Sequence, residues 1–70
     1  MVDSVIEYVK ARIEEVKKSI AECEELIRLG ELMGIDVSEH KIRLEDLKRK
    51  LRTYEDGLRK YESVRSVKAK

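Results

Sequence analysis

The spacing of the apolar residues constrains this chain more than any other feature. They fall at Val2, Ile6, Val9, Ile13, Val16, Ile20, Cys23 and Ile27, followed by Gly30. The steps alternate between four and three residues without a break. The second half repeats the pattern at Val37, His40, Leu44, Leu47, Leu51, Tyr54, Leu58 and Tyr61, then Arg65. A 4–3 alternation places every one of these positions on a single stripe of an α-helix, a heptad seam. In the first half Ile6, Ile13, Ile20 and Ile27 hold the a positions, and Val2, Val9, Val16 and Cys23 hold d. In the second half leucine holds most a positions, and Tyr54 and Tyr61 hold d. The chain has no proline to interrupt either run. The expected fold class is all-α: a helix over about residues 3–33, a tight turn at 34–36, a helix over about 37–66, and a short basic tail.

The turn has its own signature. Gly34 suits the left-handed residue just past a helix end. Asp36 suits an N-cap, and Glu39 three residues later makes a capping-box-like D-x-x-E. Ser38 competes as the cap and would lengthen the loop by two residues. Short links join antiparallel neighbours, so the chain reads as a helical hairpin with coiled-coil-like heptads. Charge tests this. Folded at the turn, the e positions meet as Lys10–Glu62, Lys17–Glu55, Glu24–Lys48 and Glu31–Lys41, all of opposite sign. Each exposed pair contributes only about 0–1 kcal/mol, but together they set register.

Seventy residues make at most one small domain, and a core of that size is marginal without disulfides, metal or oligomerisation. A hairpin buries one seam only. Val5, Tyr8, Leu26, Leu29 and Met33 of the first helix lie outside it on the c/g side, as do Val64 and Val67 of the second. They form an apolar patch near the termini and another near the tip. Between them lie Ser19 and Gly57, small residues that invite close helix approach. Two such patches on so small a domain are expected to drive association. The expected assembly is an antiparallel homodimer, a four-helix bundle, in which the tip patch of one hairpin covers the terminal patch of the other. A separate protein partner would serve the same patches. Leu32 and Ile35 have a humbler role open to them, stapling the turn.

Candidates for chemistry are few. His40 is the single histidine and occupies a d position; Cys23, the single cysteine, occupies another and is expected to lie about two turns from it. Both read as packed residues, not as a nucleophile pair. There is no HxxxH, CxxC or E-x-x-H, and no glycine-rich phosphate loop, so no metal or cofactor is expected. The carboxylate runs, such as Glu14–Glu15 and Glu55–Asp56, read as solvated surface. Tyr54 and Tyr61 read as seam residues with hydroxyls at the edge. The expectation is a protein that is not an enzyme and takes no small-molecule substrate.

Charged residues make up 44% of the chain, with net charge +1. That balance argues against a strongly basic nucleic-acid module. Arg49, Arg52 and Arg59 nevertheless share an outer face of the second helix, interrupted by Glu45 and Asp56, and offer an alternative function in nucleic-acid binding. In outline the expected dimer resembles the Rop-type hairpin dimers that regulate plasmid RNA pairing; the likeness is of architecture, and no residue carries over. Neither Asn nor Gln occurs. With so many Glu, Lys and Arg, that composition points to a thermophile; a designed bundle would share it. One cysteine, no long apolar run and no signal-like N-terminus lead to the expectation of a cytoplasmic protein in a reducing compartment, off the membrane. The function expected is a small interaction or adaptor protein.

Overall fold

A computed structural model describes the backbone of residues 2–69 and the side chains of residues 4–64. It contains two helices, α1 (Val2–Leu32) and α2 (Ser38–Ala69), packed against each other as a hairpin. α2 continues through residues 67–69, where a tail was expected. The hairpin is a rod of 57 × 17 × 12 Å. Its radius of gyration is 16.4 Å, where a compact chain of this length would have about 11 Å.

The seam forms as the heptads require. Ile13, Cys23, Ile27 and Val37 are buried, and Ile6, Val9, Val16, Ile20, Leu44, Leu47, Leu51, Tyr54 and Leu58 are half-buried. Cys23, Ile27 and Val37 make a core cluster, against which Leu44 and Leu47 pack. Tyr61, at the last described d position, is exposed. The core is therefore thickest next to the turn and thins toward the termini.

The turn explains this. Gly34 has φ of 76°, the left-handed value that glycine adopts without a Cβ penalty. The Ile35 N–H donates to the Gly30 carbonyl at 2.8 Å, and the Gly34 N–H to that of Glu31 at 3.2 Å. This is the Schellman pairing, which satisfies helix-end carbonyls that otherwise lack partners. It bends the chain so that Val37 drops back against α1, where a Cβ built on Gly30 would lie 2.5 Å from Val37 Cγ1. Gly30 thus ends the apolar seam as the hole into which Val37 fits. Of the apolar tip residues, Val37 is core at 5% exposure, whereas Leu32 is 81% exposed and cannot staple the turn. Ile35 reaches the Gly30 side at about van der Waals distance, 4.0 Å by the same measure.

At the start of α2, Asp36 Oδ1 accepts from the Ser38 N–H at 3.0 Å and from the Ser38 hydroxyl at 2.7 Å. The first helical backbone bond runs from the Lys41 N–H to the Val37 carbonyl at 3.0 Å. Val37 thus occupies the N-cap position, and Asp36, one residue ahead of the place expected for it, ties down the first turn by accepting from Ser38. Among the described residues neither bond of the expected D-x-x-E capping box forms: Asp36 accepts from Ser38 and not from the Glu39 N–H, and Glu39 makes no return bond. Its carboxylate still sits in the first turn of α2, where the helix dipole favours negative charge.

The Ser38 hydroxyl, then its backbone N–H, and finally the Lys41 charge hold the Asp36 carboxyl below its ordinary pKa; slight desolvation opposes them. A depressed carboxylate stabilises the fold above its ordinary pKa, and the contribution is lost as pH falls through the depressed value. Asp36→Ala is expected to lower the melting temperature at pH 7. Its deficit against the parent should narrow on acidification below the ordinary carboxylate range. A deficit that stays constant in acid would show that the carboxylate charge has no part in tying down that turn.

Candidate interaction surface

The a/d seam divides the hairpin into two long sides. On the e side, Lys10, Lys17, Glu55 and Glu62 line one open cleft with Glu14 and Arg59. Lys10 with Glu62 and Lys17 with Glu55 are thus brought to one cleft, as the expected register requires. Only Glu31–Lys41 closes as an ion pair, at 3.0 Å; Lys17 turns instead to Glu14 at 3.5 Å. The reason is distance from the turn. Glu31 and Lys41 flank the turn that joins the helices, whereas Lys17 has Glu14 one turn away on its own helix. The other ion pairs among the described residues lie within one helix.

The c/g side carries the apolar residues. Near the termini, Val5, Ile6, Val9, Gly57, Leu58 and Tyr61 form an apolar groove of about 300 Å³, with Thr53 and Tyr54 at its inner end. Val5, Tyr8 and Val64 are exposed around it. At the tip, Leu26, Leu29 and Met33 are all exposed on the same side. Val67 lies outside the described side chains. Polar residues separate the two patches: Arg12, paired with Glu15 at 3.1 Å, and Ser19, Glu22 and Lys50 share the stretch with Tyr54. Val67 aside, the expected interface residues thus lie uncovered on one face.

Gly57 narrows the sequence reading. A Cβ there would meet nothing within 4 Å, so no helix of the same hairpin approaches it. Ile42 was not anticipated. It is 64% exposed on α2, and its f position in the heptad was the available signal.

The basic face is less free than its sequence implies. Arg49 lies 3.6 Å from Asp46, and Arg59 lies 3.5 Å from Asp56. Arg52 is exposed and makes no ion pair among the described residues. Cys23 and His40 are closer than expected: the Cys23 thiol donates to the His40 backbone carbonyl at 3.3 Å. That carbonyl points along α2 toward Leu44, which packs on the Cys23 cluster, so the two-turn separation does not hold. The contact is to backbone and creates no thiol–imidazole pair. Among the described residues no three His, Cys, Asp or Glu side chains are grouped to hold a metal ion, and no helix is long and apolar enough to cross a membrane.

No family model, curated protein or solved structure matches the chain.

Proposed function

We propose that the hairpin is a small protein-interaction or adaptor protein that works as an antiparallel homodimer, a four-helix bundle without catalytic activity. The observation that carries this reading is the surface the hairpin leaves open. Its accessible area is 5914 Å², where a compact protein of this mass would expose about 4,500 Å². Two chains packed as compactly as one globular protein of twice the mass would bury about 4,300 Å² in total. That lies within the roughly 2,000–5,000 Å² of obligate homodimers. The exposed apolar residues of the c/g side supply the surface, and the tip patch and the terminal patch lie at opposite ends of it. Dimerisation would complete a core that one hairpin leaves thin.

Sedimentation equilibrium tests the reading, and a dimer mass is expected. Leu29→Glu with Met33→Glu should shift the mass to that of one chain while keeping the helical circular dichroism of the hairpin, because both side chains lie outside the seam. An unchanged mass in that variant would remove this face from the interface. A parent protein that is a monomer would overturn the dimer.

Nucleic-acid binding through Arg49, Arg52 and Arg59 is the weaker reading, because two of the three arginines already face a carboxylate. Reversing the charge of Arg49 and Arg52 should leave retention of RNA or DNA unchanged. A loss of retention would favour a role on nucleic acid.

A further inference from the structure

The c/g side of α1 is complementary to itself when read backward. In chain order it presents Val5, Tyr8, Arg12, Glu15, Ser19, Glu22, Leu26 and Leu29. Its two ends are apolar and exposed, and its middle is charged or polar. A two-fold axis that stacks two hairpins antiparallel lays α1 on α1 of the second copy, running in opposite directions. In antiparallel helix pairs the two seam positions alternate across each layer, so a g residue meets a c residue.

Resting on the homodimer reading above, we propose that this face fixes the register of the dimer. Val5 lies opposite Leu29 of the second copy, Tyr8 opposite Leu26, and Arg12 opposite Glu22, with the axis passing between Glu15 and Ser19. Each copy thereby places its tip leucines on the terminal groove of the other. Val5, Tyr8, Leu26 and Leu29 each meet an apolar residue, and Arg12 meets a carboxylate. The same axis lays α2 on α2 of the second copy, where Lys60 comes near another cation, so the selection is carried by α1. On α1 the shifted antiparallel registers are worse matched. Sliding by one heptad sets Arg12 against Leu29 in one direction and Val5 against Glu22 in the other. A parallel stack would lay α1 on α2 of the second copy, with Leu29 facing Arg43 and Leu26 facing Asp46. Opposing a charge with an apolar or like-charged neighbour in a closed interface is the kind of repulsive element that selects one arrangement.

Charge exchange between chains tests the register. Arg12→Glu alone puts carboxylates at both crossing points, and Glu22→Arg alone puts guanidinium groups there. Each variant is expected to dimerise about tenfold or more weakly than the parent at low salt, with the difference shrinking as salt is added. Mixed in equal amounts they should form a heterodimer as tight as the parent homodimer, because both crossings again join opposite charges. Sedimentation equilibrium of the parent, the two variants and the mixture reads all of this. A second measurement does not depend on charge. In a Cys23→Ser background, Glu15→Cys and Ser19→Cys chains, one carrying a mass tag, should cross-link with each other on mild oxidation and not each with itself. A parent that dimerises, with no rescue on mixing and no mixed cross-link, would overturn the register and leave the homodimer standing. A monomeric parent would overturn both.

Discussion

Ile27→Ala is expected to remove about 2–4 kcal/mol of stability, a large loss for a chain of this size. Ile27 is 9% exposed and sits in the cluster with Cys23 and Val37, with Leu44 and Leu47 packed against it. Truncation removes apolar surface from that cluster and leaves a cavity that two rigid helices cannot easily close. A single core in a domain of this size rarely supplies more than about 3–5 kcal/mol, so the variant would lose most of what holds the hairpin. Thermal or urea unfolding followed by circular dichroism checks this. Protein concentration must be held fixed, because association adds to apparent stability. Ile42→Ala is the comparison. It removes the same atoms from a side chain already in water, so its effect should stay within about 0.5 kcal/mol. Equal losses at the two positions would mean that Ile42 is covered in solution, and the interface would then extend onto the outer face of α2.

The second large effect is at Gly30. Alanine is the better helix former by about 1 kcal/mol, and on helix propensity alone Gly30→Ala should stabilise. The structure reverses the sign. The added Cβ would stand 2.5 Å from Val37 Cγ1, well inside van der Waals contact. Val37 cannot yield cheaply, because a β-branched side chain has a stiff χ1 and this one is the most deeply buried in the core. Overpacking of this kind costs about 1–3 kcal/mol, so after the propensity gain a net loss of up to about 2 kcal/mol is expected, each 1 kcal/mol lowering the melting temperature by about 4–8 °C. The cost is a property of the pair. Combining Gly30→Ala with Val37→Ala should therefore lose less than the two variants separately, and simple additivity would show that Gly30 is free of Val37. Gly57→Ala provides the opposite case. Nothing lies within 4 Å of its Cβ position, so the hairpin should gain about 1 kcal/mol from propensity. If that variant gains stability as a single chain but dimerises less, the second copy makes the close approach that the hairpin itself does not.

Three glycines look alike in the sequence, and these predictions separate them. Gly34 was legible, because a glycine two residues before a turn-forming aspartate marks a helix end. Gly30 was legible as a seam position but not as a hole. The heptad places it on the stripe, while the reason it must lack a side chain is the path of the turn, which drops Val37 onto it. At Gly57 the structure shows only that the hairpin's own α1 is not the close neighbour; a mid-helix glycine has no local signature that tells a packed backbone from an open one.

The interface residues divide in the same way. That Val5, Tyr8, Leu26, Leu29 and Met33 share one side of α1 follows from the helical repeat alone, since residues three and four apart lie on one face. That they line the same long side as the apolar groove between the helices required the pairing of α1 with α2. The charge pattern of the e positions set the register, yet it did not show that Lys17 would turn to Glu14. Side chains choose among partners by local distance, and the periodicity carries no such distance.

The sequence alone determined that this protein is two helices, where they turn, which stripe each buries and in what register they meet. All of these are local or periodic properties, set by the 3.6-residue turn of the helix, by glycine and aspartate at the bend, and by alternating apolar and charged positions. Only the tertiary structure decided that the core is concentrated beside the turn, that Val37 and not Leu32 closes it, that Cys23 meets the His40 carbonyl, and that two of the outer arginines are already paired. These depend on how two particular surfaces come together in space. There a Cβ a few ångströms out of place changes the outcome while leaving the pattern of residue types untouched.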